Sequence, residues 1–284
     1  MRFTVKIFNE RFPNDDVCLD YLFEQAYGDL VACPKCGVTN PSYYRVRNRK
    51  CYECKDCGNQ IHPLANTIFH KPSTPLKDWF YIIFLFSVAK NGVSAKEVER
   101  HLGVTYKCAW RIAKQVRELM QDGHIQLGDI VETDETYIGG VQRGKDITTQ
   151  DKAVVFGMVE HKGKVTAAHV SSAGTRVLLP RLRESIAVGT TIYSDQARVY
   201  SALKRLGYLH DSVNHSLGEY GRGLVHTNTI EGFWGQLKRS IDETYHCVSP
   251  KYLQLYLNEF VYRYNHRQQA VFPVLIASAA RRVR

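Results

Sequence analysis

The apolar positions of this chain change period near its middle, and that change separates two kinds of architecture. The stretch "WFYIIFLFSVA" from Trp79 to Ala89 is apolar on every side. It predicts a buried helix, with Pro75 near its first turn and a stop at Asn91-Gly92. In the following "SAKEVERHLGVTYKCAWRIAKQVRELM", Ser94 and Glu97 form a capping box for a short helix ending at Leu102. Gly103 makes a turn, and a longer helix is expected from about Thr105 to Met120. After Gly128 the pattern shifts to alternation. "DIVETDETYIGG" reads as a strand into Asp134, and Val154–Val159 and Val165–Val170 read as two strands joined by a tight "HKGK" turn. A helix over Arg176–Ala187, a strand "TTIYSD" ending at Asp195, a helix through Leu206 and a strand near Tyr208–Val213 follow. A meander of three strands, then helix, strand, helix, strand, describes an α/β layer with a mixed sheet. The apolar spacing of "YLQLYLNEFVYRYNHR" predicts a closing helix packed on that layer.

Composition narrows the class. With 284 residues and 44% hydrophobic content, the chain has material for about two cored domains. An apolar run of 11 residues falls short of the roughly 20 needed to span a membrane. The N-terminal "MRFTVKIFNERF" is not followed by an uninterrupted apolar stretch with a small-residue cleavage site. A cytoplasmic, nucleoid-associated location is expected, or the nucleus in a eukaryotic host. A formal charge of +10, spread along the chain, suits a polyanionic partner without specifying one.

Thiols stay reduced in such a compartment, so clustered cysteines point to metal before disulfides. "CPKC" at Cys33 and Cys36 and "CKDC" at Cys54 and Cys57 are two C-x-x-C pairs separated by 17 residues, the spacing of a zinc ribbon. Four thiolates close a tetrahedral Zn2+ site, which makes it structural. Gly37 and Gly58 follow the two pairs, where turns bring backbone amides toward sulfur. Cys51 offers an alternative C-x-x-C with Cys54, but lacks the matching "CKDCG" context and is taken as a spare. Cys18, Cys108 and Cys247 are isolated and read as small core residues.

The short helix, glycine turn and longer helix carrying Lys107, Arg111, Lys114 and Arg117 have the outline of a helix-turn-helix whose second helix enters a major groove. A merely solvated basic face is the competing reading.

Three acids complete the chemistry. Asp134 and Asp195 fall in or at the ends of strands, with 60 residues between them. Glu231 lies in "HTNTIEGFWGQLKR", a helix expected to cross the same sheet edge. Three converging carboxylates repel one another unless a cation sits between them. Mg2+ or Mn2+ supplies that charge, and two such ions suit phosphodiester cleavage and transfer. Glu135 should point to the opposite face of its strand. Lys238 and Arg239 follow Glu231 by about two helical turns, positions from which a cation reaches a phosphate backbone. Trp234 reads as a core residue before a base-stacking one, and His215 and His226 as hydrogen-bonded structural residues before site residues. The tail "RRVR", Arg281–Arg284, reads as a solvated end.

The combination of "CPKCG", "CKDCG", "TIFHKPSTPLKDWF", "DETYIGG", "YSDQARVY", "VNHS", "HTNTIEGFWGQLKR" and "FVYRYNHR" resembles the insertion-sequence DDE transposases with an N-terminal zinc ribbon, ISXO-type relatives of the Merlin elements. The resemblance covers about Cys18 to His266. It implies an N-terminal segment with zinc ribbon over 1–73, a helix-turn-helix DNA-binding region over 74–122, and a ribonuclease H-like DDE catalytic domain with C-terminal helix over 123–284. The implied activity is cleavage and strand transfer of double-stranded DNA, at terminal inverted repeats and target, by a homo-oligomer on DNA. Carried over by position, the acids are Asp134 in "TDETY", Asp195 in "YSD" and Glu231 in "TIEGFW". Some relatives have Asn at the third position, and Asn228 stands one turn before Glu231, so it is a neighbour or alternative ligand. A domesticated DNA-binding protein and a metal-dependent nuclease without transposition are the alternative readings.

Overall fold

A computed structural model describes residues 3–70, 73–139, 152–195, 197–213 and 225–281, and within them the chain forms two compact units. The first comprises residues 1–89, 95–119 and 269–284. Its helices α1 (Val5–Arg11) and α2 (Asp15–Tyr27) begin at side-chain caps, Thr4 Oγ1 accepting from the Ile7 amide and Asn14 Oδ1 from the Val17 amide. A three-stranded antiparallel sheet follows, β1 (Tyr43–Arg45), β2 (Tyr52–Cys54) and β3 (Gln60–Ile61), with Tyr43 opposite Cys54. The sheet docks on α2 through Phe23, which stacks on Tyr52 at 3.9 Å, and through Arg45, which pairs with Asp16 at 2.7 Å. Tyr52 also donates to Asp20.

The apolar run forms α3 (Leu76–Val88), buried along both sides as expected, with Trp79, Phe80, Ile82, Ile83 and Phe86 fully enclosed. After α4 (Ala95–Leu102), Gly103 turns at φ +65°, and α5 (Tyr106–Leu119) follows.

The second unit comprises residues 90–94 and 120–268. Its strands are β4 (Ile130–Ile138), β5 (Ala153–Glu160) and β6 (Val165–Val170), then, after α6 (Thr175–Ser185), β7 (Thr191–Asp195) and β8 (Leu209–Val213). Between β7 and β8 the chain makes two short 3-10 turns, Arg198–Ala202 and Lys204–Leu206, in place of the expected helix. The sheet order is β6-β5-β4-β7-β8; β4, β5 and β6 form an antiparallel meander, and β7 and β8 run parallel to β4. Helices α7 (Asn228–Ser240) and α8 (Pro250–Asn265) complete the unit.

Strand alternation distributes the two cores. Val155 and Val159 pack with Ile230, Phe233, Trp234 and Leu237 of α7 and Leu253 and Leu257 of α8. Phe156 and Met158, pointing the other way, pack with Leu178 and Leu182 of α6 and with Val199 and Tyr200. The closing helix expected from the C-terminal pattern is α8. The last helix, α9 (Val271–Ala280), belongs instead to the first unit, where Phe272 packs against Phe8, Phe12 and Phe84. The sheet-bearing unit therefore ends near residue 268, short of the expected limit at 284.

Candidate active site and cysteine knuckles

The four sulfurs of Cys33, Cys36, Cys54 and Cys57 lie within 4.8 Å of one another. Cys33 Sγ and Cys57 Sγ are 3.8 Å apart. Tetrahedral coordination with Zn–S bonds of about 2.3 Å requires S···S separations of about 3.8 Å, so the cradle fits zinc. Each knuckle closes with a glycine in the left-handed region, Gly37 at φ +72° and Gly58 at +68°. Their amides donate to the carbonyls of Cys33 and Cys54 at 2.9 and 3.0 Å. The backbone N–H of Cys36 and the Tyr43 hydroxyl stabilise the Cys33 thiolate and pull its pKa down to about 6. Cys51 is buried and stands outside the cluster.

In the second unit, β4 and β7 pair in parallel with Glu132 level with Tyr193. The pairing ends there; Asp134 lies two residues further along β4, and Asp195, two residues beyond Tyr193, is the last residue of β7. Thus two acids with 60 residues between them stand on neighbouring parallel strands. Asp134 shares its strand face with Glu132, toward α7, where the indole Nε1 of Trp234 donates to Asp134 Oδ2 at 3.0 Å. Asp195 Oδ1 accepts from the Ala197 amide at 3.0 Å. Glu231, in the first turn of α7, is exposed and accepts from Thr227 Oγ1 at 2.7 Å. Burial pushes the Asp134 carboxyl up to about 6, and the charges of Asp195 and Glu231 add to the rise, while N–H donors from the Glu135 backbone and Trp234 oppose it. The two other acids thus lie close enough for their charges to bear on Asp134. An all-oxygen donor set whose members repel one another fits a hard divalent cation.

Glu135 faces the opposite core, where Tyr200 donates to its Oε2 at 2.8 Å. Burial raises it to about 7, opposed by that hydrogen bond. Asn228 is exposed one turn before Glu231, and Lys238 and Arg239 are exposed near the end of α7. Trp234 is core, as its apolar context suggested, but its polar edge also reaches the acid.

The basic residues of α5 divide. Lys107 is exposed, and Lys114 pairs with Glu118 at 3.0 Å. Arg111 lies 5.6 Å from the Trp79 ring. Arg117 does not face solvent: it is 2% exposed, with its guanidinium 5.2 Å from the Phe86 ring. His215 and the tail beyond Arg281 lie outside the described residues.

Gly157 and Glu132 escape a reading by motif. Gly157 stands opposite Asp134 on β5. A Cβ there would meet Trp234 Cη2 at 2.5 Å and Ile230 Cδ1 at 3.1 Å, so the bare backbone makes room for the indole. Glu132 is wholly buried, its Oε2 accepting the amides of Thr229 and Ile230 at 2.9 Å and its Oε1 the Thr229 hydroxyl at 2.7 Å. It thereby caps the helix that carries Glu231. An acid two positions before Asp134, on the same strand face, is the only signal of it that the sequence offers.

A mixed sheet of this order, helices on both faces and an acid on each of two adjacent parallel strands define a ribonuclease H-like fold of the transposase and integrase class. Residues 126–265 match the model of the ISXO2-like transposase domain, and residues 13–60 match that of the transposase zinc-ribbon domain. The chain carries an ISXO2-like transposase domain behind a transposase zinc ribbon, the arrangement of the ISXO-type transposase family. A protein in transposable element ISH50 of Halobacterium salinarum is 27% identical over 258 residues, covering 82% of this chain and 85% of its own. A transposase-like protein of Haemophilus influenzae is 28% identical over 107 residues, covering 38% of this chain and 85% of its own. A chain of the simian T-cell lymphotropic virus intasome complex with the PP2A subunit B56 gamma aligns at TM-score 0.31 and 14% identity, covering 64% of this chain and 65% of that one, too loosely to bear on function. The family carries a transposase role, an interaction with DNA and a structural zinc in the ribbon. No helix among the described residues is long and apolar enough to cross a membrane.

Proposed function

We propose that this protein binds the ends of its own insertion sequence and cuts and joins DNA strands by phosphoryl transfer at Asp134, Asp195 and Glu231. The observation that carries the reading is the parallel pairing of β4 and β7, the strands of Asp134 and Asp195, with the charges of Asp195 and Glu231 both acting on Asp134. Asp134, Asp195 and Glu231, with Asn228 beside it, would hold the metal ions. Mg2+ or Mn2+ bound there supplies activation of a water or 3′-hydroxyl and stabilisation of the leaving oxygen. The protein's own part is positioning: Trp234 fixes the Asp134 carboxylate, the Ala197 amide fixes Asp195, and Thr227 holds Glu231.

Lys238 and Arg239, exposed on the helix of Glu231, contact phosphates of the scissile strand in this reading. The helix pair α4–α5 contributes Lys107, Arg111 and Lys114 to duplex binding. The pair between Lys114 and Glu118 is a surface one worth at most about 1 kcal/mol, so a phosphate can take the lysine over. The protein would act as an oligomer on paired DNA ends, in the compartment that holds the host's DNA.

The test is nicking of a duplex that carries the element's terminal repeat, in Mg2+ or Mn2+. Wild type should nick it and join the product to target DNA, while Asp195→Asn binds the same duplex without cutting. Full nicking by Asp195→Asn would remove the catalytic assignment. Nicking without joining would favour the nuclease reading.

A further inference from the structure

We propose that Glu132, His161 and His226 form a second zinc site, separate from the cysteine cluster, that fastens the helix bearing Glu231 to the sheet. The three come from different elements: Glu132 from β4, His161 from the turn after β5, and His226 from the segment entering α7. Their ligand atoms lie within 4.8 Å of one another. His161 Nε2 approaches Glu132 Oε1 to 2.6 Å and His226 Nδ1 to 3.2 Å. Both nitrogens are buried, yet neither makes a hydrogen bond despite this proximity. Buried nitrogens left without a hydrogen bond beside a buried carboxylate call for a shared partner.

Counting lone pairs sharpens this. Glu132 Oε2 is filled by two backbone amides, and Oε1 already accepts the Thr229 hydroxyl. One acceptor direction remains on Oε1, and two imidazole nitrogens converge on it. A single proton satisfies one of them. The two rings stack at 4.9 Å and 12°, side by side over the same oxygen. A divalent ion accepts all three donors at once, and two imidazoles with one carboxylate are a zinc donor set; bonds of about 2.0–2.2 Å set ligand atoms about 3.3–3.5 Å apart, close to the His226 separation and less than 1 Å beyond that of His161. Glu132 is 0% exposed, so the cation also compensates a charge removed from water. Because the carboxylate also holds the first amides of α7, the ion would set where Glu231 begins.

The experiment is zinc content and zinc-edge X-ray absorption on the full-length protein purified in excess zinc. Two zinc ions per chain are expected, with mixed sulfur and nitrogen or oxygen neighbours. His161→Gln combined with His226→Gln should leave one zinc with sulfur neighbours only. Cys36→Ser combined with Cys57→Ser should leave one zinc with none. The wild-type spectrum needs no variant to fold: a purely sulfur-ligated zinc there would overturn the proposal, as would an unchanged zinc content in the double histidine variant. Neither result bears on cleavage at Asp134 and Asp195, so the two readings stand or fall separately.

Discussion

Replacing Gly157 by alanine tests how the sheet presents Asp134. The new Cβ would sit 2.5 Å from Cη2 of Trp234 and 3.1 Å from Cδ1 of Ile230, whereas carbon atoms pack at about 3.5–4.0 Å. The β-strand backbone cannot yield without breaking its ladder to β4, so the indole must move by roughly 1 Å, the shortfall from ordinary contact. Overpacking of this kind costs about 1–3 kcal/mol. The same movement lengthens the bond from Trp234 Nε1 to Asp134 Oδ2, now 3.0 Å. A hydrogen bond to a charged group is worth about 1.5–3 kcal/mol, part of which is lost as well. At roughly 2–4 °C per kcal/mol for a unit of this size, calorimetry should register a fall in Tm of several degrees. Trp234→Phe supplies the control, because the smaller ring leaves the alanine methyl room. A double-mutant cycle should therefore give a coupling of at least about 1 kcal/mol, Gly157→Ala costing less in the phenylalanine background. Additivity within about 0.5 kcal/mol would refute the claim that Gly157 exists to admit this indole. Strand cleavage should fall with the stability change in Gly157→Ala, since the acid loses its fixed orientation.

Two further outcomes follow from the same packing. Asp134 and Glu135 are raised by burial to about 6 and about 7, above their ordinary values of 3.8 and 4.5. The folded state therefore holds these protons more tightly, and stability falls as pH rises from about 4 to about 7. In magnesium-free buffer, Asp134→Asn combined with Glu135→Gln should gain stability relative to wild type across that window, and a constant difference would contradict the burial. Arg263 pairs with the fully buried Glu259 at 2.7 Å, and Tyr245 donates to the same carboxylate. Arg263→Leu should cost about 3–5 kcal/mol in denaturant unfolding, by leaving a charge uncompensated, and a loss below 1 kcal/mol would count against it.

How far the sequence can be read depends on what kind of force fixes each feature. The run from Trp79 to Ala89 declares its burial because it is apolar on all sides, and the strands before and after "HKGK" declare theirs by alternation. Alternation also separates Asp134 from Glu135, which do face opposite cores. Periodicity does not name a partner, however. α9 has the pattern of any packed helix, and nothing local says that it joins α2 and α3 and not the sheet. Arg117 looks like a member of a basic stripe, because charge type alone does not reveal that its long side chain lies along Phe86. The 3-10 turns at Arg198–Ala202 and Lys204–Leu206 share helix composition without continuing helix geometry. Glu132, His161 and His226 are spread over 95 positions, so only the folded sheet makes them a group.

Cleavage at this site requires a divalent metal bound between acids from two strands and a helix. The most direct measurement is anomalous diffraction from crystals of the wild-type protein soaked in Mn2+. Density is expected between the carboxylates of Asp134 and Asp195, at about 2.1 Å from their oxygens, with Glu231 or Asn228 on its outer side. Manganese bound elsewhere, with the Asp134 and Asp195 carboxylates free of it, would contradict the account.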